Sequence, residues 1–376
     1  MRNYFGVHNH TMYSNIRLLD CINEPKALID KAIELGLSGI AITDHECLSA
    51  HMTVNQYAKQ IKEKYPDFKI ALGNEIYLTN TRDKGQKYYH FILIAKDALG
   101  YKALKELSTI AWHGSYVDRK LERVPTLKSE LEEVMQRYKG HVIATSACIG
   151  GELSSNALLM SQAESVNDLK SAQIYYQNII DFMAYCQKIF GDDFYIECAP
   201  STYEDQIMVN RKLRKIAAAY NIPMVVGTDA HYLTQKERSI HKAYLTSKEG
   251  EREVDSFYAY AHLMTYNECE ELAKQEGGML LNKFYDEGSF ATIAVAWNSG
   301  EWMSYGDSVV FCYDKVTGNL QHSFTRLVDF NNPPYLINCK DPTDEKGFRY
   351  GRFNISSESA MFVTSDALAH YILMMY

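Results

Sequence analysis

Short apolar runs alternate with longer segments of helical periodicity along the first 230 residues of the chain. Short runs rich in β-branched and aromatic residues predict strands, and apolar residues repeating every three or four positions predict amphipathic helices. The predicted strands span residues 4–8, 39–43, 69–78, 88–95, 141–146, 194–198 and 224–228. The predicted helices span residues 24–35, 50–64, 101–112, 126–138, 168–190 and 203–220. This alternation is typical of βα units and predicts a closed or nearly closed α/β barrel.

The pattern changes after about residue 275, where Gly, Asn, Ser and aromatic residues become frequent. Residues 308–313 form a short alternating run, and Thr317-Gly318-Asn319 has the composition of a turn. We therefore predict two domains. Residues 1–275 form the α/β domain, and residues 276–376 form a small β-rich region to which the sequence assigns no function.

The composition and net charge of the chain exclude some classes of protein. The chain has 376 residues, eight scattered cysteines without a CxxC pair, and a net charge of −8. This cysteine pattern and the lack of a long apolar run predict a cytoplasmic protein that does not contact a membrane. The acidic balance argues against binding nucleic acid over the whole surface, so metal cations in an acidic pocket would have to supply the attraction locally.

Residues that bind metals fall at or near the ends of the predicted strands. In an α/β barrel the carboxyl ends of parallel strands meet on one face, so such residues can line one pocket. The candidates are His8, His10, His45, Glu75, His90, Cys148, Asp229 and His231. Their mixture of imidazole, carboxylate and thiolate suits Zn, Mn or Fe better than Ca or Mg. Ions of this kind lower the pKa of a bound water and polarise a phosphoryl oxygen, which predicts hydrolysis of a phosphate ester.

Each signal also has an ordinary structural interpretation. His8 and His10 could be surface or hydrogen-bonded histidines. Asp44-His45 and Asp229-Ala230-His231, which each follow a predicted strand, could be polar turns with an Asp cap. Cys148 could be a buried thiol, whereas Glu75 in an apolar strand would be costly to bury without a cation or hydrogen bonds.

The order of the motifs resembles the PHP (polymerase and histidinol phosphatase) family, most closely the N-terminal PHP domain of bacterial DNA polymerase III alpha subunits. The motifs are VHNHTMYS, LLDCI, AITDHECLSA, ALGNEIYL, YYHFILIAKDALGYKALKELST, VIATSACIGGEL, FYIECAP, GTDAHYL and MTYNECEEL, which together cover about residues 3–275. The resemblance implies a PHP-type distorted (β/α)7 barrel followed by the small β-rich region.

The resemblance also implies a site for two or three divalent metals. Its ligands would be His8, His10, Asp20, His45, Glu75, His90, Cys148, Asp229 and His231. One metal would bind His8, His10, Glu75 and Asp229, the residues that we expect to be catalytic. A second would bind Glu75, His90 and Cys148, and a third Asp20, His45 and His231. Asp44 and Glu197 are candidates to orient a ligand or, for Asp44, to cap a helix.

The implied activity is hydrolysis of phosphodiesters, in the form of a 3′ to 5′ exonuclease that proofreads during DNA replication. Its partners would be a single-stranded DNA 3′ end, other polymerase subunits or a separate chain that carries the polymerase palm, since no palm is present here. Arg119, Lys120 and Arg123 form a basic cluster that could contact DNA or be a solvated loop. Two alternatives remain: a stand-alone phosphatase of small phosphate monoesters, and a non-catalytic scaffold stabilised by its metals.

Overall fold

The computed structural model describes residues 4–16, 19–118, 121–247, 257–274, 290–324, 335, 337–338 and 343–375. The chain forms two compact units, Met1–Glu276 and Gly277–Tyr376. No helix in the described parts of the chain is long and apolar enough to cross a membrane.

The first unit is built around one sheet in which seven strands follow one another and an eighth pairs at the side. The seven are β1 (Phe5–Gly6), β2 (Gly39–Ile42), β3 (Lys69–Thr79), β4 (Tyr89–Ala95), β8 (Val142–Thr145), β9 (Phe194–Cys198) and β10 (Met224–Val226). They are hydrogen-bonded in that order, and β7 (Pro125–Leu127) pairs with β3. A parallel bridge between Asn9 and Ala230 joins the ends of the first and last strands. The nearly closed barrel predicted from the sequence is therefore confirmed.

One strand runs against the expected direction. β4 is antiparallel to both β3 and β8, whereas the other neighbouring pairs of the seven are parallel. The reason is the short connection, since residues 80–88 contain no helix that could carry the chain back across the sheet for a parallel pairing. The reversal places the beginning of β4, rather than its end, at the face where its neighbours end.

Eight α-helices of the first unit have both ends within the residues that the structure describes. They are α1 (Pro25–Glu34), α2 (His51–Ile61), α3 (Ala98–His113), α4 (Lys128–Arg137), α5 (Glu152–Ser165), α6 (Leu169–Phe190), α7 (Glu204–Tyr220) and α8 (Arg238–Thr246). The six predicted helices are all present, but α5 and α8 were missed. In α5 the polar residues Ser154 and Asn156 are buried together with Leu153, so no clean apolar stripe marks the helix.

Asp97 caps the beginning of α3. Its carboxylate accepts hydrogen bonds from the backbone N–H groups of Leu99 and Gly100, at 2.9 and 3.0 Å. These bonds, together with a contact to His141, hold the pKa of Asp97 below its usual value. The negative charge also interacts favourably with the helix dipole.

We expect Asp97→Ala to lower the melting temperature by about 2 °C at neutral pH, because the cap is lost. Since the pKa is depressed in the folded state, the difference from wild type should be complete above the usual carboxyl range, about pH 4, and should disappear as the pH falls through the folded-state pKa. Thermal unfolding at several pH values measures this, with the exposed Asp83→Ala as control. A difference that persists in strong acid would contradict the role of the charge.

The second unit is rich in β-structure, as predicted. It contains β12 (Ile293–Ala296), β13 (Glu301–Tyr305) and β17 (Phe348–Arg352) in one antiparallel sheet, and β14 (Val309–Asp314), β15 (Leu320–His322) and β18 (Ser359–Thr364) in another. A short pair, β11 (Phe290–Ala291) and β16 (Ile337–Asn338), and a helix, Asp366–Met375, complete its described elements. Its buried apolar residues include Val309, Phe311 and Ala369.

Candidate metal centre

The predicted ligands come from separate strands and meet at one face of the barrel. His8 and His10 follow β1, His45 follows β2, and an isolated bridge pairs His45 with Glu75 of β3. His90 lies near the beginning of β4, which the reversed direction of that strand brings to the same face. Cys148, Asp229 and His231 follow β8 and β10.

Glu75 lies at the middle of this cluster and is fully buried. Its Oε1 is 2.9 Å from His90 Nδ1 and 3.5 Å from His8 Nε2. Its Oε2 is 3.6 Å from His10 Nε2 and also contacts His45 Nδ1. None of these contacts has hydrogen-bond geometry, so neither carboxylate oxygen has a hydrogen-bond donor among the described residues.

Asp229 approaches the two histidines that follow β1. Its Oδ1 is 3.2 Å from His8 Nε2 and 3.0 Å from His10 Nε2, while the two Nε2 atoms are 3.1 Å apart. His8, His10 and Glu75 can each direct one ligand atom to a common point, because these atoms lie within 4.8 Å of one another. Three of the four ligands that the resemblance implies for the first metal therefore have ligand atoms close together.

A second group consists of Glu75, His90 and Cys148, whose ligand atoms also lie within 4.8 Å of one another. Cys148 Sγ is 3.5 Å from His90 Nδ1. The loop after β8 packs closely against His90, since a Cβ on Gly150 would lie 3.1 Å from the His90 ring. Burial raises the pKa of the Cys148 thiol well above its usual value, so a cation would be needed to hold the thiolate.

A third group lies on the other side of Glu75. Asp20 Oδ2 is 3.2 Å from His45 Nε2, and Asp20 Oδ1 is 3.6 Å from His231 Nε2. The geometry adds one feature to the implied grouping, because His10 also has a ligand atom within 4.8 Å of those of His45 and His231. The His10 and His45 rings are stacked, with centroids 4.1 Å apart.

Several polar atoms of the cluster have no hydrogen-bond partner among the described residues. Burial, followed by the neighbouring His45 and His231, lowers the pKa of His10 to about 3, so this imidazole is neutral. Buried atoms without a hydrogen-bond partner among the described residues include Glu75 Oε1 and Oε2, Asp229 Oδ1 and His231 Nε2. Unpaired buried carboxylates and imidazoles are costly. A donor set of this kind fits divalent cations, which would satisfy these atoms.

Two buried acidic residues contact a candidate ligand or the loop that carries one. Glu197 Oε1 is 2.6 Å from His8 Nδ1, and Glu197 Oε2 accepts a hydrogen bond from Thr145 at 2.5 Å. Asp44 accepts hydrogen bonds from Thr11 and Ser14, and Ser14 Oγ lies 3.2 Å from His10 Nδ1. Asp44 therefore organises the loop after β1.

We expect Glu197→Gln to lower the affinity of the centre for divalent metal by about 10- to 100-fold, because the His8 ring loses the carboxylate that fixes its tautomer and orientation. Metal titration followed by calorimetry measures the change. The exposed Glu34→Gln variant is the control. Wild-type affinity in Glu197→Gln would show that the contact does not position His8.

Three non-glycine residues at this face adopt left-handed backbone conformations. They are Glu46, Ala147 and Asp229, with φ values of 53°, 59° and 47°. Each lies at or next to a candidate ligand, where the chain turns sharply after a strand. Such conformations cost free energy and cluster at functional sites.

Two residues that no sequence motif indicates support Asp20. Tyr258 donates its hydroxyl hydrogen to Asp20 Oδ1 at 2.8 Å, and His241 Nε2 lies 2.7 Å from the Asp20 backbone carbonyl. Both are more than 200 residues away from Asp20 along the chain. No local pattern identifies such contacts.

Of the basic cluster formed by Arg119, Lys120 and Arg123, only Arg123 lies within the described residues. Arg119 and Lys120 lie outside the described residues. Arg123 lies on β6 (Leu121–Arg123), which pairs with β5 (Tyr116–Asp118), and its guanidinium lies 5.8 Å from the centre of the Tyr88 ring. Contact of this cluster with DNA stays a prediction.

Comparison with known proteins identifies the class. The family model of the PHP domain matches residues 6–201. This match covers more than half of the chain, and the chain belongs to the PHP domain family.

Curated relatives are DNA polymerases. A DNA-directed DNA polymerase of Bacillus phage SPbeta is 41% identical over 278 residues, which are 71% of this chain and 21% of the relative. The DNA polymerase III subunit alpha of Borreliella burgdorferi is 31% identical over 242 residues, which are 62% of this chain and 18% of the relative. The chain thus spans about a fifth of the length of these relatives. Among solved structures, an amidohydrolase from Chromobacterium violaceum has a TM-score of 0.36 at 16% identity, covering 60% of this chain and 87% of that one.

Proposed function

We propose that the chain is a metal-dependent phosphodiesterase that removes nucleotides from the 3′ end of single-stranded DNA. The observation that carries the proposal is the buried Glu75 carboxylate, whose two oxygens lie against ring nitrogens of His8, His10, His45 and His90. The similarity to DNA polymerases supports DNA as the substrate class and replication as the process.

The ligand groups follow from the resemblance and are supported by the distances. His8, His10, Glu75 and Asp229 would hold one metal and Glu75, His90 and Cys148 a second, while Asp20, His45 and His231 would hold a third. Divalent Zn, Mn or Fe at such a centre lowers the pKa of a water and polarises a phosphoryl oxygen.

The remaining residues have positioning roles. Glu197 holds the His8 ring with Nε2 facing the centre, and Tyr258 holds the Asp20 carboxylate. Asp44 fixes the loop that carries His10 through Ser14. These buried contacts keep the candidate ligands close together before a metal binds, which limits the entropy lost on binding.

The test is elemental analysis of protein purified without chelator, together with a nucleotide-release assay on the same sample. We expect two or three metals per chain and Mn- or Zn-dependent release of the 3′ nucleotide from single-stranded DNA. The variant His10→Ala should abolish release while the circular dichroism spectrum remains that of a folded protein. The exposed His113→Ala serves as the matched control.

The outcomes separate the alternatives. Bound metal with hydrolysis of small phosphate monoesters but not of DNA would identify a monoester phosphatase. Bound metal without any hydrolysis would identify a scaffold, whose partner would be a palm-bearing chain or another polymerase subunit. Protein without bound metal, even after reconstitution, would contradict the proposed centre itself.

A further inference from the structure

The candidate metal centre is open to solvent beside His90. The His90 side chain is 28% exposed, whereas the side chains of His8, His10 and Glu75 are fully buried. The remaining candidate ligands are buried as well: Asp20, His45, Cys148, Asp229 and His231. A substrate therefore reaches the centre from the side of His90.

Two tyrosines and an arginine form a small patch, which we call the rim patch: Tyr88, Tyr116 and Arg123. The hydroxyl groups of Tyr88 and Tyr116 contact each other. Tyr116 pairs with Arg123 across β5 and β6, so both side chains lie on the same face of this hairpin. The Arg123 guanidinium lies 5.8 Å from the centre of the Tyr88 ring, within the range of a cation–π contact. The three side chains therefore form one surface.

The rim patch is connected to His90 through two strands. Tyr88 precedes His90 by two residues, which in an extended chain span about 7 Å and point to the same side. Arg123 precedes Pro125 by two residues, and Pro125 pairs with Tyr77, which in turn pairs with His90. The rim patch therefore lies next to the side from which a substrate reaches the centre.

The charge of Arg123 is not matched by an acidic side chain. Among the described residues, no carboxylate forms a salt bridge with Arg123, and its buried Nε has no hydrogen-bond acceptor. The neighbouring Glu122 lies on the opposite face of the hairpin, where it accepts a hydrogen bond from Ser115 at 2.9 Å. A guanidinium with unused donors beside an open site points to an anionic ligand such as a phosphate group.

The two tyrosines indicate what kind of phosphate ligand fits. Tyr88 and Tyr116 are only partly buried, so part of each side chain is accessible. Aromatic rings stack on nucleobases whatever the base, and this stacking requires a base that is not paired within a duplex. A second positive charge lies beside the patch, because Lys87 Nζ is 5.0 Å from the centre of the Tyr89 ring. Rings next to cations are typical of surfaces that bind single-stranded nucleic acid.

We propose that the rim patch binds single-stranded DNA, with a nucleobase stacked on the Tyr88 ring and a backbone phosphate on the Arg123 guanidinium. The inference rests on the proposed function for the identity of the polymer, and it adds the surface that guides the strand to the metal centre. In a duplex the faces of the bases are covered by their neighbours. The rim patch therefore favours an unpaired strand end over a paired one.

The test measures binding of fluorescein-labelled oligothymidine, and of an abasic oligomer of the same length, to the full chain by fluorescence anisotropy. No divalent metal is added, and the salt concentration is varied. We expect wild type to bind oligothymidine about tenfold more tightly than the abasic strand. In Tyr88→Leu this preference should fall toward one with little change in salt dependence, whereas Tyr88→Phe should keep the preference because the ring remains.

The arginine variant has a different expected signature. Arg123→Gln should weaken binding of both DNAs and reduce the slope of log affinity against log salt concentration by about 0.7, the value for one phosphate contact on a single strand. The exposed Tyr176→Leu and Arg214→Gln are the matched controls and should bind as wild type does.

The outcomes separate this inference from the proposed function. Equal affinity of wild type for the two DNAs, or an unchanged preference in Tyr88→Leu, would overturn the stacking contact. An unchanged salt slope in Arg123→Gln would overturn the phosphate contact. Nucleotide release by a wild type that shows neither signature would overturn the rim patch and leave the proposed function intact. Both signatures without any nucleotide release would support the rim patch and contradict the proposed function alone.

Discussion

Replacing Glu75 by glutamine is expected to reduce metal-dependent nucleotide release by at least about 10³-fold. Glu75 is the carboxylate that approaches four of the candidate histidine ligands, so its loss weakens the attraction for more than one cation. Elemental analysis should show fewer metals per chain than in wild type. The matched control is the exposed Glu133→Gln, which should retain full metal content and activity.

The same variant separates a metal centre from a structural role. In metal-free protein burial opposes the ionisation of Glu75, but the neighbouring His90 and His45 outweigh it and hold the pKa of the carboxyl well below its usual range, so neutralisation should lower the melting temperature. Added metal should then raise the melting temperature of wild type much more than that of the variant, because only tight binding to the folded state stabilises it. An equal rise in the melting temperature of wild type and variant on adding metal would instead indicate that Glu75 has a structural role only.

Replacing Leu104 by alanine is expected to lower the free energy of unfolding of the first unit by about 3 kcal/mol. Leu104 lies on α3, is 1% exposed, and belongs to the large apolar cluster that also contains Phe91 and Phe182. The truncation removes buried apolar surface and leaves a cavity. Urea denaturation followed by far-ultraviolet circular dichroism, which the helices of the first unit dominate, measures the change.

Leu99 provides the matched control on the same helix. It is 48% exposed, so Leu99→Ala should change the free energy of unfolding by no more than about 0.5 kcal/mol. A cost below about 1 kcal/mol for Leu104→Ala would contradict the packing of α3 against the barrel. Comparable costs for the two variants would contradict it as well.

Much of the fold followed from local patterns. The strands β3, β4 and β9 begin and end within a residue or two of their predicted boundaries, because apolar runs between polar turns mark buried strands directly. Helix α5 was not predicted, because its buried surface contains both polar and apolar residues. Its burial depends on what packs against it, which no local window of sequence contains.

The residue types of the site could also be identified from the sequence, because a His-x-His pair and two Asp-containing strand endings are uncommon together. Their division into metal-binding groups was implied by the family resemblance and remains a proposal. The structure adds that His10 faces His45 and His231 as well as Glu75. This arrangement depends on how the ends of β1, β2 and β10 are placed around the barrel.

The sequence by itself determined the seven consecutive strands of the barrel, most of the helices and the set of side chains able to bind metal, since periodicity and residue chemistry are local properties. Only the tertiary structure decided that β4 runs antiparallel and brings His90 to the shared face. It also decided that Tyr258 supports Asp20 and that Glu197 contacts the His8 ring. These contacts join residues far apart in the chain, and their geometry is fixed by barrel closure and side-chain packing.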